Sequence, residues 1–263
     1  MLGLALIAPL VIAAILAPYI APFDPMAGDL AQGLQPPSAA HWMGTDLQGR
    51  DMLSRVLYGA RISLQIGVTA VAVGVLVGGL MGSLAGGFAG WVDTVVMRVT
   101  DVMLAIPGIL LAIGIVAWLD RGLPQIMIAV AATNAPIFAR LLRGSLLALR
   151  EADFVTAARS FGGGRVSLLI HHMLPNALTP IIVQATLSLG TAIIDVAGLG
   201  FLGLGPPDPS TPEWGTMLTD SASLIRVAPY LVFFPGLAIV IGVMGFNLFG
   251  DGVREALDPR MHR

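Results

Sequence analysis

The 263-residue chain is 56% hydrophobic and only 11% charged, a composition too apolar for a water-soluble surface and typical of an integral membrane protein. Its net charge is −2, every basic residue is arginine and no basic domain stands out, which removes the electrostatic footprint that nucleic acid requires. The absence of cysteine excludes a disulfide framework, a thiolate metal site and a cysteine nucleophile.

Leu2 to Tyr19 is an apolar run close to the ~20 residues that cross a bilayer as a helix, so residues 1–20 read as the first span. A cleaved signal peptide is the rival, but a basic n-region is missing and Pro9 and Pro18 interrupt the run. Residues 21–61 form the longest polar region and read as an extracytoplasmic loop. Within it Met52, Arg55 and Val56 recur at helical spacing, with Leu53 and Leu57 on an adjacent face. That pattern predicts a short helix from Asp51 to Tyr58 lying at the interface, either a plain amphipathic linker or a surface contact.

Residues 62–250 read as a membrane core of five further spans. The second span, Ile62 to Phe88, carries Gly74, Gly78, Gly82 and Gly86 at every fourth position and hence on one face. Small residues let helix backbones approach closely in lipid, so this face is expected to pack on another span. The third span, Val92 to Leu119, contains Pro107, which predicts a kink. Its Arg98 and Asp101, three residues apart, are expected to neutralise each other near the interface. The fourth span, Gln125 to Leu147, is interrupted by Thr133-Asn134-Ala135-Pro136, where polar side chains are expected to satisfy carbonyls freed by the proline.

The fifth and sixth spans are Ala177 to Val196 and Pro229 to Phe249, and residues 251–263 read as a cytoplasmic tail. Arginines accumulate at cytoplasmic span ends. Placing the loop after Arg150 inside puts nine arginines (Arg98, Arg140, Arg143, Arg150, Arg159, Arg165, Arg254, Arg260 and Arg263) on that side against five outside. The expected fold is therefore an all-α integral membrane protein of six transmembrane helices with both termini cytoplasmic.

Glu151 to Asn176, between the fourth and fifth spans, is charged and punctuated by glycine. Its pattern predicts a helix from Arg150 to Phe161, a turn at Gly162-Gly163-Gly164 free of side-chain restraint, and a second helix from Arg165 to Leu174 closed by Pro175. Ala157 and Ala158 are small enough to fit closely against a partner, and nothing in the loop resembles a catalytic centre. His171 and His172 point to different helix faces and have no carboxylate at ligand spacing, so a contact or packing role fits them better than a metal or proton relay. His41 stands alone, and no metal site is expected. Gly198, Gly200 and Gly203 match G-x-G-x-x-G, but at the end of a span they read as a turn and not as a dinucleotide fingerprint.

The loop resembles the coupling motif of ABC importer permeases: Glu-Ala-Ala, three residues, Gly, nine residues, Ile, one residue, Leu-Pro. Here it reads Thr156-Ala157-Ala158, Gly162, His172 and Leu174-Pro175, so Thr156 and His172 depart from the pattern. The runs Pro36 to Leu64, Phe201 to Leu218 and Asp251 to Arg260 extend the resemblance to the permeases of the dipeptide/oligopeptide and nickel group. The resemblance implies a type I importer permease fold with a cytoplasmic helical-hairpin coupling loop. In that loop Glu151, Thr156, Ala157, Ala158, Gly162, Gly163, Gly164, His172, Leu174 and Pro175 would face the ATPase. It also points to Asp195, Phe201, Gly203, Gly205 and Trp214 as outer-gate candidates, although Asp195 fits a capping or interfacial acid equally well.

The partners implied are a homologous permease subunit, two ATPase subunits, an extracytoplasmic substrate-binding protein and the lipid bilayer of a bacterial cytoplasmic (inner) membrane. ATP and Mg would be held by the ATPase subunits and no cofactor by this chain, in which G-x-x-x-x-G-K-[ST] and lysine itself are missing. The implied function is ATP-driven import of dipeptides or oligopeptides, with nickel or another small solute as the alternative cargo. An ion-coupled secondary transporter is the rival class, disfavoured because few ionisable residues lie deep in the spans.

Overall fold

A computed structural model describes residues 2–88 and 90–257. The terminal residues 258–263, which include Arg260, Arg263 and the end of the expected tail, lie outside the described residues. The described residues are mainly helical, with an isolated bridge between Thr45 and Asp51 as their only extended pairing.

Helix α1 spans Leu2–Ile20 and α2 spans Met52–Phe88. No proline interrupts the 37 residues of α2, which at 1.5 Å per residue is about 55 Å long and exceeds the ~30 Å hydrocarbon core. The helix expected at Asp51 to Tyr58 is therefore the first turns of the second span and not a separate interfacial element. Asp51 caps it, accepting from the Ser54 amide and hydroxyl, both at 2.8 Å.

Helices α3 (Trp91–Ala105) and α4 (Gly108–Leu119) meet at a 97° bend. Pro107 thus does more than kink the third span. It breaks it, and its carbonyl restarts the next helix by accepting from the Leu110 and Leu111 amides. Helix α5 (Leu123–Arg150) continues through Pro136. Its polar neighbours act differently from the expectation: Thr133 Oγ1 and Asn134 Nδ2 both donate at 2.8 Å to the Val130 carbonyl, not to that of Ala132, which the proline frees.

The glycine face of α2 lies against α5. An added Cβ would meet the Ala131 carbonyl at 3.2 Å from Gly74, the Ala135 carbonyl at 2.2 Å from Gly78, the Ala139 carbonyl at 2.7 Å from Gly82, and the Arg143 Cα at 3.3 Å from Gly86. The partners advance along α5 in steps of about four residues as the glycines do along α2, so the seam is continuous. Around it a core forms that includes Ile66, Val130, Phe138, Leu146 and Ile181.

After α6 (Asp153–Ser160), the short α7 (Arg165–Ser167) runs through a π-helical stretch, Leu168–Met173, into α8 (Leu174–Leu199) and a second π turn at Gly200–Leu204. Arg165–Leu204 is thus one 40-residue apolar helix. A short helix, α9 (Trp214–Ser221), precedes α10 (Tyr230–Leu257). Among the described residues five helices are long and apolar enough to cross a membrane, and taking the bent pair α3 and α4 as one span gives six. Gly3 sits on the backbone of Leu248 and Phe249, and α10 runs antiparallel to α8, Asn247 meeting Gly190 and Gly250 meeting Leu187, so its C-terminal end points toward the α6 end of α8. The N-terminal end of α1 and the C-terminal end of α10 therefore share the side of the molecule that carries α6.

Candidate functional site: an exposed hairpin and a buried cap

Helix α5 stops at Arg150, Glu151 occupies its C-cap, and Ala152 is extended before α6 begins at Asp153. The single helix expected from Arg150 to Phe161 is therefore broken at Glu151-Ala152. The Ala152 carbonyl starts α6 by accepting from Val155 and Thr156, and Asp153 in the first turn favours a helix N-terminus.

The other end of α6 is a Schellman closure: Gly163 N donates to Ala158 O at 3.1 Å and Gly162 N to Arg159 O at 3.0 Å. Gly162 takes φ +86°, where a Cβ would be strained, and a Cβ at Gly163 would meet the Ala158 carbonyl at 2.8 Å. Two of the three glycines are thus required for distinct reasons, whereas Gly164 has open space around it.

Pro175 does not close the second arm. It falls in the first turn of α8, where a missing amide donor is tolerated. The π turn ahead of it shifts the register, Leu174 N donating to Leu169 O. Asn176 Nδ2 satisfies the His172 carbonyl at 2.7 Å, and His171 Nδ1 bonds the Ser167 carbonyl at 3.2 Å. Both histidines are thus part of this register change. Among the described residues no group of three or more His, Asp or Glu could hold a metal.

Val155 is fully buried and joins Leu169 and Met173 in the main core, so α6 is anchored to the second arm. An adjacent face is apolar and largely open, with Ala158 half-buried. Phe154, Ala157, Ala158 and Phe161 stand at i, i+3, i+4 and i+7, with Phe161 92% exposed. Phe154 and Phe161 were missed in the sequence reading, which followed the motif positions; the helical spacing of the four residues was the signal that could have found them. Thr156 is exposed beside this stripe and His172 is half-buried. A cavity of about 370 Å³ under the hairpin is lined by Arg150, Arg159 and Arg165 together with Gly86 and Gly87.

At the other end of the bundle the polar segment 21–51 is tied down by buried charges. Arg50 Nε binds Asp46 at 2.6 Å, Arg55 Nε lies 3.5 Å from the same carboxylate, and His41 Nδ1 meets Asp51 at 2.9 Å. Arg55 also donates to the carbonyls of Pro25 and Ser210, joining this segment to the approach to α9. Glu213, wholly buried, caps α9 by accepting from the Gly215 and Thr216 amides at 2.9 Å and from Ser63 Oγ at 3.2 Å. Burial raises its pKa, and the three donors oppose that shift.

Trp214 is buried against Gly59 and donates from Nε1 to the Val56 carbonyl at 3.1 Å. Added Cβ atoms at Gly200 and Gly205 would strike Glu213 and Thr216, and Gly203 adopts φ +76°. The G-x-G-x-x-G run thus seats a helix. Of the outer-gate candidates, Trp214 is buried and Gly205 is packed against Thr216 of α9. Phe201 is half-exposed. Asp195 lies inside α8, five residues before its second π turn, and therefore does not cap the helix.

The expected Arg98–Asp101 pair is replaced by contacts between helices. Asp101 binds Arg140 of α5 at 2.6 Å, and Asp93 binds Arg143 Nη2 at 2.6 Å. Across the groove the guanidinium of α5 reaches the α3 carboxylate directly, which leaves Asp101 bonded to another helix.

Up to six apolar spans, an exposed hairpin between the fourth and fifth, and the buried helix α9 at the opposite end are the features of a membrane transport subunit of the ABC importer class. The chain belongs to the family of binding-protein-dependent transport system inner membrane components, which it matches over residues 56–263, and residues 1–37 match the N-terminal transmembrane domain of oligopeptide transport permease C. It is 48% identical over 259 residues to a dipeptide transport system permease protein of Alkalihalophilus pseudofirmus, covering 98% of this chain and 85% of that one. It is 50% identical over 256 residues to a glutathione transport system permease protein of Shigella flexneri, covering 96% and 83%. The fold is similar to that of an inward-facing methionine ABC transporter (TM-score 0.66, 19% identity, 79% of this chain and 98% of that one). An amino acid ABC transporter solved with histidines is also similar (TM-score 0.58, 17% identity, 79% and 94%). The architecture is therefore that of a type I importer permease.

Proposed function

We propose that this chain is one of two homologous permease subunits of an ATP-driven importer of short peptides in the bacterial cytoplasmic membrane. The hairpin and both chain termini face the cytoplasm, where two ATPase subunits bind and hydrolyse ATP with Mg. The cap formed by residues 21–51 and α9 faces an extracytoplasmic substrate-binding protein. The peptide cargo is supported by the names of two relatives, a dipeptide and a glutathione permease.

The observation that carries the coupling role is the apolar stripe of Phe154, Ala157, Ala158 and Phe161, exposed on a helix whose other face is locked into the core through Val155. Exposed apolar surface of this kind marks a protein or membrane contact, and the partner proposed for it is the ATPase pair. The second arm of the hairpin is continuous with the fifth span, so a push on α6 displaces α8 as a rigid element. Closure of the ATPase pair on ATP shifts the permease to the outward-open state only if that state fits the closed pair better.

The test is uptake by the reconstituted complex. Deleting Gly162 to Arg165, or replacing Phe161 by Glu, is expected to abolish uptake and peptide-stimulated ATP hydrolysis while the permease still inserts. Normal uptake by an assembled complex lacking Gly162 to Arg165 overturns the coupling role, and preference for nickel over a labelled dipeptide overturns the cargo.

A further inference from the structure

We propose that Arg140 and Asp101 form a charged subsite on the wall of the translocation pathway, where they take the carboxylate and ammonium ends of a zwitterionic peptide. The proposal rests on the peptide reading above and assigns residues to it. The pair joins α5 to α3 at 2.6 Å, yet the two side chains are 56% and 52% exposed.

Depth gives that exposure its meaning. Asp101 stands ten residues into α3 from Trp91, and Arg140 ten residues before Arg150 at the end of α5, each about 15 Å along its helix. Helix α5, about 42 Å long, outruns the ~30 Å hydrocarbon core, so the pair lies in the half of the bilayer nearer the hairpin. Trp91 is itself exposed, as a residue of the interfacial aromatic belt is. An exposed ion pair at this depth does not face acyl chains, because charges inside a membrane turn to water or protein.

The face it occupies is shaped to admit a solute. A cavity of about 720 Å³ opens between α3, α5 and α8, with Leu104, Ile137 and Leu141 as apolar walls. Ser145 and Gln184 add polar groups, and the space over Gly144 is open. Mostly apolar walls with a few polar groups are the pattern of small-molecule sites. Gln184 Nε2 rests on Ser188 Oγ at 3.3 Å, so its carbonyl oxygen remains as an acceptor for a peptide amide.

The chemistry matches a zwitterion. An exposed ion pair contributes little stability, so separating Arg140 from Asp101 costs little. The guanidinium can then receive the carboxylate in a two-pronged contact, and the Asp101 carboxylate can receive the ammonium. Net charge in the groove stays unchanged throughout the exchange, which suits a site that must release its cargo. The rival occupant of this face is the homologous permease subunit.

The absence of cysteine makes the test direct. In the complete reconstituted complex, Gly144→Cys is expected to react on this subunit with a hydrophilic thiol reagent, and dipeptide under turnover is expected to slow that reaction at least threefold. Arg140→Gln is expected to cut uptake of a free dipeptide at least tenfold and its C-amidated analogue much less. Asp101→Asn is expected to do the same for free against N-acetylated peptide. One binding protein is used throughout, so its own preference cancels in the ratio to wild type.

An inert Gly144→Cys, equal losses for free and blocked peptides, or loss of the partner permease from Arg140→Gln on purification overturns the subsite. The last result assigns the face to subunit contact. Failure of the wild-type complex to take up any peptide overturns the peptide reading itself, and the subsite with it.

Discussion

Glu213 combines a helix-cap role with complete burial, and its titration makes that combination measurable. Its folded-state pKa is raised by burial, against the pull of three hydrogen-bond donors. A raised pKa favours the folded state while the group is protonated. The contribution is complete below the unfolded carboxylate value and is lost as pH rises through the folded one. Thermal unfolding in detergent is therefore expected to show stability falling across that window, and Glu213→Gln is expected to flatten the slope. Glu213→Ala leaves the Gly215 and Thr216 amides without acceptors, at a cost of roughly 1–3 kcal/mol. The sequence marked the run around Trp214 as important but assigned it to a gate. That Trp214 is an anchor depends on the Val56 carbonyl and on Gly59, residues more than 150 positions away, and no local pattern encodes that contact.

At the scale of elements, the seam between α2 and α5 offers a controlled comparison. Gly78→Ala places a methyl group 2.2 Å from a backbone carbonyl that cannot move freely, whereas Gly79, one residue on, has no neighbour within 4 Å. Gly78→Ala is expected to destabilise by about 1–3 kcal/mol and Gly79→Ala to be neutral or slightly stabilising. Thermal denaturation of the two purified variants checks this, and equal midpoints would refute the close seam. The four-residue glycine spacing was legible because helical geometry alone sets it. Which span it met was not legible. The hairpin divides in the same way: the glycine turn could be read from composition, but the break at Glu151-Ala152 and the passage through Pro175 could not. Both follow from register, since an extended Ala152 re-aims α6 and a π turn absorbs the proline. Phe161, 92% exposed, is not needed for folding, so Phe161→Ala is expected to leave the melting temperature unchanged while uptake falls.

For the whole molecule, the start of α1, the end of α10 and the hairpin share one side of the bundle, and the cap lies opposite. Single cysteines in this cysteine-free chain can report which side is which. Ser160→Cys is expected to be protected from an impermeant thiol reagent in spheroplasts, and Leu47→Cys to react. The reverse pattern would invert the proposed orientation. Composition determined by itself that the chain lives in a membrane, and apolar run length determined the number of spans, because hydrocarbon imposes a thickness and an apolar surface on any segment that crosses it. The tertiary structure alone decided which charges meet. Sequence spacing paired Asp101 with Arg98, three residues away on the same helix, yet its carboxylate binds Arg140 from α5. Spacing along a helix says which groups are neighbours on one cylinder, whereas a long side chain's partner is fixed by the cylinder packed beside it.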